Sequence, residues 1–318
     1  MVTSGRAAPI VRAIITVAVL GWVTRSVEPA AARDALGAFS PPLVAAALAL
    51  VGVDRLLMLQ RWMLLIRPTT ALSNRMLARI FFVSSFLGSF MPAGVGGDAV
   101  RAWTVTRHTG RGGAAAASVI ADRWLGLLAV GVTGCLGMLF SLTALPASAR
   151  PLLVVATLLL LAGGLGGLYA DRVVVRLLSV TSRRFRVAQA LLRVSDAMAS
   201  YRTHGATLLQ VAGLSVAVQA NRIVLAWVLG LGLGLTLPFS YYWVFMPLNI
   251  LVILLPLSIG GFGLPQGAMI WTLAPLGVDA TAAFLLSTLF VGIGIIGNLP
   301  GAWMYLRGAD QPSQPAQP

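Results

Sequence analysis

Between Pro92 and Arg123 the chain sets out residues suited to holding an anion. Pro92-Ala93-Gly94-Val95-Gly96-Gly97 interrupts an apolar stretch, and Asp98 and Arg101 follow at i, i+3, on one face of the helix that restarts there. Glycines at a helix start leave backbone N–H groups open to an anion. An arginine one turn further in can grip phosphate oxygens with two parallel N–H bonds. The competing roles are structural: Asp98 as the helix cap and Arg101 as a side chain snorkelling to the membrane interface. Asp122 and Arg123 come next, in a helix of small residues. Charges inside an apolar segment usually face a cavity or a partner, so pairing with Asp98 and Arg101 is expected, for binding or for structure.

The second half carries a matching set. Ser215, Gln219 and Arg222 recur at i, i+4 and i+7 as one polar stripe, with Asn221 beside it. Pro256-Leu257-Ser258-Ile259-Gly260-Gly261 repeats the Pro-x-x-x-Gly-Gly spacing 164 residues after the first, and Gln266 follows. Asn249 and Asn298 are weaker members. The candidate binding residues are therefore Pro92, Gly96, Gly97, Asp98, Arg101, Asp122, Arg123, Gln219, Arg222, Gly260, Gly261 and Gln266.

Covalent chemistry has little to stand on. HExxH, GxSxG and CxxC are all missing, His108 and His204 lack metal-ligand spacing, and Cys135 is the only cysteine. Gly292-Ile-Gly294-Ile-Ile-Gly297 spells a dinucleotide fingerprint, but no strand precedes it. Close helix packing through small residues accounts for it better. All 23 basic residues are arginine, so a Walker A lysine is excluded and any transport is not driven by a P-loop of this chain. No enzyme activity, metal or cofactor is expected.

These residues need elements to hold them, and composition says which. Of 318 residues 58% are hydrophobic and 10% charged, against about 25% charged in soluble domains. The fold class is all-α, a polytopic helical membrane protein with about eight membrane-embedded segments. These run over about 13–23, Pro41 to Leu65 (containing Asp54, Arg55 and Arg61), Ile80 to Met91, Gly113 to Leu142, Pro151 to Tyr169, Ala206 to Leu231, Tyr241 to Leu257 and Thr281 to Leu306, with a short helix Ala268 to Leu276 before the last. The first segment has the look of a signal peptide, but a retained span is expected because Glu28 and Pro29 precede the small residues. Asp171 to Arg202 interleaves seven arginines with apolar residues and reads as amphipathic helix on a membrane surface. Residues 308–318 read as a disordered tail. The organisation is a single membrane domain over 1–307, with repeat halves about 41–140 and 205–306.

Arginines at 61, 67, 75 and 79 precede the third segment, and Arg101, Arg107 and Arg111 follow it. Cytoplasmic loops carry the excess of basic residues, so residues 80–100 are expected to dip in from the cytoplasm and return. Residues 223–278 hold no Asp, Glu, Lys or Arg, which suits a second dip, around 241–276, from the opposite side. Six crossings, two re-entrant hairpins and cytoplasmic termini follow. Gly/Pro breaks at corresponding places in two halves point to a binding site built from an inverted repeat. The net charge of +14 flanks apolar segments and so indicates membrane lipid, not nucleic acid.

Residues 84–130 resemble the signature of the lysylphosphatidylglycerol synthetase transmembrane region, also called the flippase-like family: a Pro-Gly-Gly-Gly-Asp-x-x-Arg type break, then a small-residue helix bearing Asp-Arg. Pro92, Gly96, Gly97, Asp98 and Arg101 match the first part, and Asp122 and Arg123 the second. Residues 256–268 are similar to the second signature, Pro-x-x-x-Gly-Gly-x-Gly-x-x-Glu, except that Gln266 stands where the family has glutamate. That departure weighs against proton or cation handling there. The resemblance implies a protein that translocates or handles an anionic or polyprenyl-type lipid in a bacterial inner membrane, without the fused synthetase domain. The alternative is a non-transporting scaffold for a lipid-modifying enzyme or glycosyltransferase.

Overall fold

The computed structural model describes residues 29–37, 39–91, 95–141, 205–254 and 262–307, with parts of 150–162. Among these the chain is all-helical. The elements are α1 (Pro29–Gly37), α2 (Pro41–Ile66, continued by a 3-10 turn Arg67–Thr69), α3 (Asn74–Ser89), α4 (Val95–Thr109), α5 (Gly112–Ser141), α6 (Gly205–Gly232), α7 (Phe239–Leu254), α8 (Leu264–Leu273), α9 (Ala280–Ile296) and α10 (Leu299–Leu306). Four stretches are long and apolar enough to cross a membrane: Pro41–Thr69, Gly112–Phe140, Gly205–Gly232 and Ala280–Leu306. The protein is thus a polytopic helical membrane protein. The expected first span, most of the fifth, the amphipathic helix at 171–202 and the tail fall outside the described residues, as do Pro92, Pro256, Gly260 and Gly261.

Local chemistry sets the helix ends. Pro41 and Pro42 open α2, where their missing N–H groups cost nothing. Ser73 caps α3 by accepting the Met76 N–H at 3.3 Å, and Asp279 caps α9 by accepting the Thr281 N–H at 2.7 Å. Gly110 and Gly277 take positive φ at the turns after α4 and α8.

Helices α2 and α6 run antiparallel along each other, since Arg61 reaches Ser215 while the Asn221 amide donates to the Leu50 carbonyl. Their apolar sides, through Ala47 and Ile223, join a core with Val130 of α5, Tyr242 and Met246 of α7, Leu273 of α8 and Leu286 of α9. A second core packs Trp62, Ile66, Leu77 and Phe81. Arg111 donates to the Thr69 carbonyl at 3.0 Å, so α3 and α4 start and finish at the end of the bundle where α2 finishes. Phe39 abuts Gly232, and α9 touches α1, so α7 and α8 start and finish at the other end. The order of elements is the same in both halves: long helix, two short helices, long helix. The packing is exchanged between them, α5 lying on α7 and α10 on α3.

Four expectations need correction. The third segment is not twelve residues: α3 begins at Asn74, because Ser73 supplies a cap seven residues ahead of the apolar run. The short helix before the last span begins at Leu264 rather than Ala268, started by Gly263 at φ 100° and Pro265. The last span is not one rod, since a turn at Gly297 and Asn298 separates α9 from α10. Of the glycines 292, 294 and 297, only Gly297 makes a close approach, to Val51 and Arg55; a Cβ on Gly292 or Gly294 would meet nothing within 4 Å. The tight glycine contacts lie elsewhere. A Cβ at Gly97 would stand 2.5 Å from the Ser84 carbonyl oxygen and 3.0 Å from the Gly88 Cα, which is how α4 lies against α3.

Candidate functional site

The polar residues of α2 through α6 converge on one cavity of about 300 Å³. Helix α2 contributes Asp54, Arg55 and Arg61; α4 gives Asp98 and Arg101; α5 gives Asp122 and Arg123; α6 gives Gln219 and Arg222. Ser84, Ser85 and Ser89 of α3 border it as well. Apolar side chains line it too, among them Leu225 of α6, Ile250 and Ile253 of α7, and Phe290 and Ile295 of α9.

Each carboxylate is held by arginine from another helix. Asp98 accepts from Arg123 at 2.5 Å, joining α4 to α5. Asp122 accepts from Arg61 Nε at 2.7 Å, joining α5 to α2. Asp54 accepts from Arg222 Nε at 2.8 Å, joining α2 to α6, and its other oxygen lies 2.9 Å from Arg55 Nη2. Arg55 also donates to Asn298 at 3.0 Å, and Asn298 donates to Ser89 at 2.8 Å, so the turn between α9 and α10 closes the ring. Asp54, Arg61, Arg101 and Asp122 are each at most 4% exposed. A charge buried that deeply is tolerated only when paired and hydrogen-bonded.

Arg101 is held differently from its neighbours. It donates to the hydroxyls of Ser84 and Ser85 at 3.2 and 3.4 Å, and its guanidinium lies over the Trp62 and Phe81 rings at 5.1 and 4.6 Å. It approaches Asp122 at 3.9 Å, outside hydrogen-bond range. Hydroxyls and ring faces orient the cation without neutralising it. Its burial overturns the snorkelling reading, because its guanidinium faces inward onto α3. Asp98 is likewise committed to Arg123 rather than to a cap.

Gly97, Asp98, Arg101, Asp122, Arg123, Gln219 and Arg222 therefore line one cavity. The expected pairing of Asp122 and Arg123 with Asp98 and Arg101 is present, Arg123 on Asp98 and Arg101 3.9 Å from Asp122, and Arg61 joins it as the closer partner of Asp122. Gly96 does not line the cavity; it packs closely against Met91, which follows α3. Gln266 does not join the group. It is fully buried at the start of α8, where its side-chain oxygen accepts the Gly263 N–H at 2.6 Å. Pro92, Gly260 and Gly261 lie outside the described residues. Asp54, Arg55 and Arg61 were visible as charges in an apolar segment but were not assigned to the site. Their signal was the cost of three charges within one 26-residue membrane helix.

The family model described as the lysylphosphatidylglycerol synthase TM region matches residues 10–301. No curated protein matches the chain.

Proposed function

The chain belongs to the lysylphosphatidylglycerol synthase TM region family, a membrane family associated with lipid handling, and from that premise we propose that it translocates an anionic or polyprenyl-type lipid. The observation that carries this reading is the mixed lining of the cavity, arginine–aspartate pairs together with aliphatic and aromatic side chains. A lipid is the ligand that needs both. Its headgroup takes the guanidinium groups, while its tails follow the apolar side chains towards the bilayer.

Depth supports the same reading. Asp54 lies twelve residues from Ile66, about 18 Å along α2, and Asp122 lies ten residues from Gly112, about 15 Å along α5. Either distance is close to half of the roughly 30 Å hydrocarbon core. Helices α3, α4, α7 and α8 have 16, 15, 16 and 10 residues, so each is shorter than that core. With both ends of each pair at one end of the bundle, they are re-entrant hairpins from opposite faces, related as the halves of an inverted repeat. Arg67, Arg75, Arg79, Arg107, Arg111 and Arg307 sit at the α3–α4 end, with Trp103 and Trp303 stacked under Arg107 and Arg307. That end is the cytoplasmic one by the positive-inside rule, and the aromatics mark its interface. A bacterial inner membrane with both termini cytoplasmic is the setting proposed.

The function is passage, with no covalent step. Arg101 acts as the headgroup clamp, and the ion pairs release and re-form around the moving headgroup. Reconstituted in liposomes with fluorescent phosphatidylglycerol and surface quencher, the protein is expected to expose inner-leaflet lipid. Arg101→Ala should abolish that while monodisperse folded yield is kept. Unchanged translocation by Arg101→Ala would remove the clamp. Wild-type protein that moves no lipid and co-purifies with a lipid-modifying enzyme would instead favour a scaffold.

A further inference from the structure

We infer that the cavity is built for a doubly charged headgroup, a lipid ending in a phosphomonoester or diphosphate, in preference to a phosphodiester. The inference rests on the lipid-translocation reading and narrows it to a substrate class.

Charge balance carries it. Among the described residues the cavity is bordered by five arginines, at 55, 61, 101, 123 and 222, against Asp54, Asp98 and Asp122. Guanidinium stays protonated in proteins, so two positive charges remain over among these described residues. The pairing shows which they are. Asp98, Asp122 and Asp54 each have one closest arginine, namely Arg123, Arg61 and Arg222. Arg55 shares an aspartate already taken, and Arg101 is held by two serine hydroxyls and two ring faces. Gln219 adds a buried side-chain oxygen with no hydrogen-bond partner, an acceptor for a protonated phosphate oxygen or a headgroup hydroxyl.

Two surplus cations at mid-bilayer depth, Arg101 buried and Arg55 partly buried, are costly unless a ligand neutralises them. A phosphodiester brings one negative charge and leaves one arginine uncompensated. A phosphomonoester carries about −1.5 to −2 at pH 7, and a diphosphate at least as much. Planar guanidinium groups match its oxygens two at a time. Phosphate chemistry is shared by a lipid headgroup and free phosphate, and the apolar lining of Leu225, Ile250 and Phe290 favours the lipid.

The full chain in detergent micelles, titrated with phosphatidic acid and phosphatidylglycerol of identical acyl chains at pH 8, tests this by native mass spectrometry. Phosphatidic acid should be retained at least about tenfold more tightly, the factor expected from one further charge-assisted hydrogen bond. Arg101→Gln and Arg55→Gln should each bring the ratio to about one, and Arg101→Lys, which keeps the charge, should preserve a preference. Equal retention of the two lipids by folded wild-type protein would overturn the inference, whatever the translocation assay gives. Inorganic phosphate binding as tightly as phosphatidic acid would overturn the lipid assignment. Selective retention without translocation would support the headgroup class and defeat the transport reading.

Discussion

At the scale of single residues, the cavity is held by charges that cannot be removed one at a time. Asp122 ties α5 to α2 through Arg61, and both are buried. Asp122→Ala would strand Arg61 without its carboxylate. Breaking a buried pair by removing one partner costs about 3–5 kcal/mol. The variant should therefore unfold at clearly lower temperature in a tryptophan-fluorescence melt. Arg61→Met with Asp122→Leu, which removes both charges, should recover most of that loss. An equal loss in the double variant would mean that the pair is not what stabilises this junction. Arg101 is the contrasting case: its removal leaves no carboxylate short of its closest partner, so its loss should show in transport before it shows in stability. Gln266, by comparison, is occupied with its own helix start.

The short helices put those residues at mid-depth, and glycine contacts hold them there. Gly97 lets α4 lie against the backbone of α3, which sets where Asp98 and Arg101 point. Gly97→Ala would push a methyl group into the Ser84 carbonyl and the Gly88 Cα, both backbone and neither able to move cheaply. Overpacking of this kind costs about 1–3 kcal/mol. Gly292→Ala, with open space around it, should be neutral or gain from better helix propensity. Thermal melts of the two variants check this, and an equally tolerant Gly97 would show that α3 and α4 are not packed through it. The sequence read Gly292, Gly294 and Gly297 as packing glycines from spacing alone. Spacing says which glycines share a helix face, but only the neighbouring helices decide whether anything lies against that face.

For the molecule as a whole, the arrangement of the two hairpins fixes the topology. Ser40 stands at one end of the bundle and Arg111 at the other. In a Cys135→Ser background, Arg111→Cys should react with membrane-impermeant maleimide only from the cytoplasmic side, and Ser40→Cys only from outside. Labelling of both from one side would contradict the proposed crossing of α2. Opposed hairpins also explain why the halves exchange partners. No helix of either short pair is as long as the hydrocarbon core, and each pair completes its packing on the last span of the other half, α7 on α5 and α3 on α10, the short helix that continues α9. The cavity forms at that exchange, where the short helices α3, α4 and α7 leave space between long ones.

How much could be read beforehand follows from this. Scarce charge and long apolar runs require membrane helices, because no soluble surface can be made from 10% charged residues. The bounds of α2, α5, α6 and α7 followed from prolines and hydropathy to within a few residues, whereas α1 and α4 were given no bounds, α3 and α8 start earlier and the break between α9 and α10 was not seen. The residues on α4, α5 and α6 were legible because charged or amide side chains in apolar helices are conspicuous. Partnership was legible for Asp98 and Arg123 but not for Asp54 or Arg61. Asp54 and Arg222 are 168 positions apart, and Arg61 and Asp122 are 61 apart. A long-range ion pair depends on which helix faces meet, and this only the folded packing of α2 against α5 and α6 decided.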